Sequence, residues 1–294
     1  MSNQTNARRN RWQLTVALAL TTSYMVAEVI GGILTNSLAL LADAGHMLTD
    51  AGALAIALLA VRFAGRPATP KHTYGFYRSE ILAALLNAIV LLLISFYILY
   101  EAWQRFQSPP DVLSWPMLMV AIVGLIVNLI SMRLLASGSK ESLNVKGAYV
   151  EVLGDVLGSL GVIAASLIMI FTGWYLADPI VSAGIGLFII PRTWRVLKEA
   201  VDILLEGTPA DLDISALERA MKSVTGVADV HHLHVWTITS GVDAMSGHVV
   251  LVEGADRDRV LTELQQCLVQ EFNINHSTLQ LEGKRTQLEG STMI

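Results

Sequence analysis

Six apolar runs, each long enough to cross about 30 Å of hydrocarbon as a helix, constrain this chain before anything else does. They cover roughly residues 12 to 34, 38 to 63, 81 to 103, 114 to 136, 147 to 172 and 177 to 197. With 53% hydrophobic and only 15% charged residues, the chain is too apolar for a soluble domain of its length. A lipid-spanning segment must satisfy its own backbone, so the expected architecture is an α-helical membrane protein with six transmembrane helices. The first run imitates a signal peptide, since Arg8, Arg9 and Arg11 precede it and Ala17-Leu18-Ala19 looks like a cleavage site. Too little apolar sequence precedes that point, and the run is read as a retained helix.

Basic residues set the orientation. Arg8, Arg9, Arg11, Arg62, Arg66, Lys71, Arg78, Arg133, Lys140, Lys146, Arg192, Arg195 and Lys198 all fall in one alternate set of flanks, whereas the opposite connections hold only Arg105. By the positive-inside rule both termini are cytoplasmic. The compact chain has no long histidine-rich loop, which points to a bacterial inner (plasma) membrane.

Charge also divides the chain. Residues 1–198 carry 14 basic and 10 acidic groups, while residues 199–294 carry 6 and 15. The expected domains are a six-helix membrane part over 1–206, a small cytoplasmic α+β domain over 207–282, and a disordered tail over 283–294. Such an acidic module repels nucleic acid and anionic lipid and attracts cations, so no nucleic-acid partner is expected. Periodicity predicts a helix over 214–224 behind the capping residue Asp213, a strand over 227–239, a turn at Ser240-Gly241 and a strand over 245–253. A helix over 258–272 and a strand over 277–282 complete an αββαβ order. The single Cys267 excludes an internal disulfide and is read as a small core residue in line with Leu261, Leu264 and Leu268.

Two pairs at i, i+4 spacing stand inside apolar runs: His46 with Asp50, and Glu151 with Asp155. Each pair lies on one helix face, and the second and fifth spans cross in opposite directions. Antiparallel packing would then set His46 near Asp155 and Asp50 near Glu151. Groups of this kind are costly in a bilayer and mark function, and an N/O set of four suits Zn2+, with Co2+, Cd2+ or Mn2+ as further fits. A charge-neutralised helix contact is the alternative. Gly154, Gly158 and Gly161 permit close helix approach. Asp43 is read either as supporting the site or as an interhelical hydrogen bond. Glu28, Asn87, Glu101 and Asn128 are read as interhelical glue or interface groups, and Asp178-Pro179 as a helix N-cap with proline at the first position.

The stretch Ser37-Leu-Ala-Leu-Leu-Ala-Asp43-Ala-Gly-His46-Met-Leu-Thr-Asp50, followed by Asn144-Val-Lys-Gly-Ala-Tyr-Val-Glu151-Val-Leu-Gly-Asp155, resembles the cation diffusion facilitator family. It is most similar to the bacterial cobalt-zinc-cadmium efflux proteins and the zinc-transporter branch. The resemblance covers nearly the whole chain. It implies a proton-coupled zinc antiporter, a homodimer, a metallochaperone-like cytoplasmic domain and a transport site at His46, Asp50, Glu151 and Asp155. The zinc branch usually has histidine where this chain has Glu151, so a broader range including cobalt and cadmium is implied. By family position His231 and His248 match cytoplasmic metal ligands, with His276 and Glu282 as additions. On a regular strand His232 and His234 share one face and His231 takes the other. His72 is read as a loop or interfacial histidine, because Phe76 stands where some members place a second one.

Zn2+ is therefore expected as transported substrate and as a structural or regulatory ion, with no other cofactor. The partners are the lipid bilayer, divalent metals, protons and a second copy of the chain. Two rival readings use the same residues: a metal-sensing membrane scaffold acting through the tail, and an intramembrane metalloenzyme. The second lacks an HExxH pair.

Overall fold

The computed structural model describes residues 2–48, 52, 69–136, 143–239 and 241–283. Its membrane-type helices are α1 (Ser2–Thr35), α2 (Leu38–Leu48), α3 (Arg78–Gln107), α4 (Ser114–Ala136), α5 (Leu143–Thr172) and α6 (Ala177–Leu204). Among the described residues five of these are long and apolar enough to cross a membrane, and α2 is a shorter apolar helix. Beyond Leu48 and apart from Gly52, the expected second span lies outside the described residues.

Contacts divide the chain into two units: residues 1–58 with 83–197, and residues 59–82 with 198–294. The sequence-based division fell at 206/207; here the segment before α3 and the end of α6 group with the tail. Two bonds account for this. Arg78 Nη2 pairs with Glu206 Oε1 at 3.0 Å, and Thr239 Oγ1 donates to Glu80 Oε2 at 2.7 Å. In the same segment the His72 ring packs on Phe76 with centroids 4.8 Å apart, so His72 is a loop histidine resting on its neighbour.

In the first unit, α4 packs against both α1 and α5. Gly124 of α4 leaves the space that the Tyr24 phenol of α1 fills. Asn128 Nδ2 donates to Ser159 Oγ at 3.3 Å and joins α4 to α5, as interhelical glue should. Glu101 serves its own helix, taking the Arg105 guanidinium at 3.0 Å one turn away.

The approach of α2 to α5 fixes the level of everything near it. Asp43 lies against Gly158, where an added Cβ would come within 2.5 Å of the Asp43 carboxylate. Ala39 and Leu40 belong to one buried cluster with Val162, Ala165 and Met169. Residue numbers rise along α2 as they fall along α5, so the two helices are antiparallel. Of the three small residues in α5, Gly158 faces α2, Gly161 faces Val181 of α6, and Gly154 faces open space.

Asp178 departs from its expected role. It lies inside α6 and caps α2 instead of its own helix: its carboxylate accepts from Ser37 Oγ at 2.7 Å, Leu38 N at 2.9 Å and Ala39 N at 3.2 Å. These are the orphan N–H groups of the α2 N-terminus, which a fully buried carboxylate from another helix satisfies. Arg105 Nη1 stands 3.6 Å from Asp178 and also donates to the Asn36 carbonyl at 2.7 Å.

The second unit holds α7 (Ile214–Ser223), β1 (Val227–Thr239), β2 (Val242–Leu251), α8 (Arg257–Phe272) and β3 (His276–Gly283). This is the αββαβ order read from the sequence. The sheet order is β1-β2-β3, with β1 and β2 antiparallel and β3 returning parallel to β2 after α8. Asp213 caps α7 by accepting from Ser215 N at 2.8 Å, and Asp256 caps α8 by accepting from Asp258 N and Arg259 N. Leu217, Met221, Val260, Leu264 and Leu268 of the helices close on Val230, Val235, Met245, Val249 and Leu251 of the sheet. β2 begins earlier than expected because pairing continues through Thr239 and Val242, helped by Thr237 Oγ1 donating to Asp243 Oδ1 at 2.7 Å. Cys267 is half-buried at the margin of this core, and burial together with Glu271 pushes its thiol pKa up.

Replacing Asp178 with Ala strips two N–H groups and a hydroxyl of their acceptor and leaves Arg105 without its buried partner. The expected cost is about 3 kcal/mol. It should appear as a clearly lowered melting temperature of the purified protein in detergent, with a smaller loss for Asp178→Asn; unchanged melting in both would refute the cap.

Candidate functional site

With Asp43 of α2 level with Gly158 of α5, one turn onward along α2 and one turn back along α5 bring His46 to the level of Asp155. Asp155 is buried and His46 partly so. Asp50, the partner expected one turn past His46, lies outside the described residues. Glu151 lies one turn before Asp155 on α5 and is half-buried; its Oε1 accepts from Arg192 Nη2 of α6 at 2.9 Å. Helical rise thus puts His46 and Asp155 at one level, and the hydrogen-bond partner of Glu151 is an arginine of α6 that the sequence reading assigned only to topology.

Behind His46 lies a second polar group. Tyr24 Oη donates to Glu28 Oε1 at 2.9 Å. Glu28 and Asp43 are 0% and 2% exposed. Glu28 thus bonds within its own helix, α1, while Asp43 lies against Gly158 of α5.

The tail unit carries a separate cluster on the sheet face turned away from α7 and α8. His231 of β1 and His248 of β2 are directly opposed, and Glu282 of β3 lies beside them. Glu282 Oε1 is 2.8 Å from His248 Nδ1, and its Oε2 is 3.3 Å from His231 Nε2. One ligand atom from each of the three lies within 4.8 Å of the others. Zinc at about 2.0 to 2.1 Å from each donor needs separations of about 3.3 Å, so a small side-chain closure would complete three corners of a tetrahedron. Gln280 Nε2 donates to Glu282 Oε1 at 2.9 Å and orients the carboxylate. Near the same strand, Asp229 is held below the usual carboxylate range by Lys222, whose Nζ lies 2.8 Å away.

His276 is not brought to this cluster. It is exposed and pairs with Ala244, whereas His248 pairs with Gln280, four residues further along β3. His232 is the reverse case. Strict alternation sends its side chain to the face opposite His231, yet its ring centroid lies 5.1 Å from that of His231 and 5.5 Å from that of His248. A β-bulge between His231 and His234 shifts the register, and His232 sits at φ 52° in the left-handed region. Gly247 opposite leaves room for the displaced Leu233 side chain. No turn residue marks this bulge in the sequence.

Residues 14–205 match the family profile described as the cation efflux transmembrane domain, and residues 209–284 match that of the cation efflux protein cytoplasmic domain. The chain is 51% identical over 274 residues to the metal cation efflux system protein CzcD of Cupriavidus metallidurans, covering 93% of this chain and 87% of that one. It is 47% identical over 279 residues to the zinc transporter ZitB of Escherichia coli, covering 94% and 88%. To the cadmium, cobalt and zinc/H(+)-K(+) antiporter of Bacillus subtilis it is 41% identical over 287 residues, covering 96% and 92%. A solved structure described as the metal-bound C-terminal domain of the CzcD transporter aligns with 24% of this chain and 99% of its own length, at 36% identity and a TM-score of 0.24.

The left-handed backbone at His232 costs an L-residue about 1 kcal/mol or more, a cost that glycine escapes. His232→Gly should therefore leave the tail unit more stable than His232→Ala by about 1 kcal/mol. Denaturant midpoints of the two variants check this, and equal midpoints would contradict the bulge geometry.

Proposed function

The chain belongs to the cation efflux family, and on that premise we propose that it exports divalent metal cations in exchange for protons, Zn2+ first and Co2+ and Cd2+ within range. It is a transporter and not an enzyme, as are the relatives it matches. The transport site in this reading is His46, Asp50, Glu151 and Asp155. The observation that carries it is the antiparallel approach of α2 and α5 at Asp43 and Gly158, which sets His46 level with Asp155. By helical spacing Asp50 then belongs one turn further on, at the level of Glu151.

A dication and protons compete for the same imidazole and carboxylate lone pairs, so loading with one expels the other. Metal arriving from the cytoplasm displaces protons, and protons arriving from outside release the metal once the helices re-orient. The buried cap of α2 by Asp178 and Arg105 supplies a fixed end for that movement. The basic flanks support cytoplasmic termini in a bacterial inner membrane, and the match to the cytoplasmic-domain profile supports a homodimer with its tail domain over 207–282.

His231, His248 and Glu282 form a second site in this reading, a regulatory one that reports cytoplasmic metal. His276 lies too far along β3 to join it. The sensor reading then becomes a part of the transporter and not a rival to it. Changing His231 and His248 together to Ala should abolish any metal-dependent gain in dimer affinity while leaving a basal flux; dimerisation equally responsive to Zn2+ in that variant would remove the site.

Proteoliposomes with an imposed pH gradient test the main reading. Zn2+, Co2+ and Cd2+ accumulation should require the gradient, fall at least tenfold in Asp50→Ala, and narrow toward Zn2+ in Glu151→His. Accumulation that persists without a proton gradient, or that survives Asp50→Ala, would overturn it.

A further inference from the structure

We infer that Arg192 is a tethered counter-cation of the transport site: its guanidinium occupies Glu151 in the absence of metal and must be displaced before Glu151 can bind metal. The inference rests on the reading of Glu151 as a transport ligand.

Two observations carry it. First, Arg192 stands on α6, a helix that supplies none of the four proposed ligands, yet its Nη2 reaches 2.9 Å from Glu151 Oε1. An arginine near the end of a membrane helix has an alternative, because its long stem can extend to interfacial water. Here it bonds a carboxylate on a neighbouring helix while remaining 58% exposed, against 30% for Glu151. Second, Pro191 immediately precedes it inside α6. Proline supplies no N–H, so one helical hydrogen bond is missing at this point and the turn carrying Arg192 is freer to swing than a regular helix would be.

The chemistry follows from charge. Glu151 contributes an anion to the site, and an anion in a partly desolvated place needs a compensating cation. Metal can supply that charge when bound. When the site is empty a proton could supply it, but Arg192 already does and cannot be deprotonated in a protein. Guanidinium and dication then exclude one another, both because each uses a Glu151 oxygen and because two cations side by side repel. Arg192 thereby sets how tightly the site holds metal and makes release easier, since a replacement cation waits on the same helix bundle.

A plain interhelical clamp predicts the opposite sign. Cutting a clamp loosens the site and weakens metal binding, whereas removing a competitor tightens it. The experiment measures Zn2+ binding calorimetrically on the full-length purified protein carrying His231→Ala and His248→Ala, so that tail binding does not interfere. Arg192→Gln should bind Zn2+ about tenfold more tightly than its parent. In a Glu151→Gln background the same substitution should give a clearly smaller gain, since only the repulsion between the two cations is then relieved. Arg192→Lys keeps the charge but loses the forked donor, and should fall between Arg and Gln. Weaker or unchanged binding in Arg192→Gln, or an equal gain with Glu151→Gln already present, would overturn the inference. If Arg192→Gln fails to fold, the Arg192→Lys measurement decides alone, with affinity at or below the parent's as the refuting result. Should Glu151→Gln by itself leave Zn2+ affinity unaltered, it is the assignment of Glu151 to the transport site that fails, an outcome distinct from loss of the counter-cation role.

Discussion

At Gly158 the backbone of α5 comes so near the Asp43 carboxylate that a single methyl group would overlap it. That contact sets the register of α2 against α5, which by helical rise brings His46 to the level of Asp155, while the Arg192 guanidinium of α6 pairs with Glu151. Close backbone approach is the main way helices attract one another in lipid, where burying apolar surface gains little. The same glycine that lets the helices pack thus lines up costly polar groups that lipid would otherwise reject.

The other end of α2 obeys a different constraint. Four N–H groups at a helix start need acceptors, and Asp178 supplies two of them from α6 while Arg105 balances its charge from α3. One end of α2 is therefore held by directional, charge-assisted bonds, and its middle by close packing against a glycine. An element fixed at one end has a point about which to pivot, which is what the alternate exposure proposed for the site asks of it.

Much of this was legible in the residues. Hydrophobic run length yields the membrane helices and charge asymmetry marks off the tail, whereas the i, i+4 grouping of His46, Asp50, Glu151 and Asp155 stands as a proposal with Asp50 outside the described residues. Periodicity also recovers the αββαβ order, because each tail element buries one face on a common core. What escaped shares one property: it joins positions far apart in the chain. Asp178 was read as capping the helix it begins, since Asp-Pro is a local signal, and only the fold shows the carboxylate turned to α2 140 residues away. Arg192 was counted as a topological charge for the same reason. His232 was assigned to the wrong face because alternation assumes an unbroken ladder, and the bulge that breaks it depends on room above Gly247 in the neighbouring strand.

That bulge also joins two reading frames. Val230 and Val235 both enter the core, although an odd number of steps separates them and a regular strand would point them to opposite faces. The extra residue absorbs the mismatch, letting one half of β1 present His231 outward while the other half keeps its valine inward. Chain length there is consequently fixed to the single residue. Deleting any residue from 232 to 233 would turn either the histidine or the valine to the wrong side, whereas substitutions at those positions leave the frame intact.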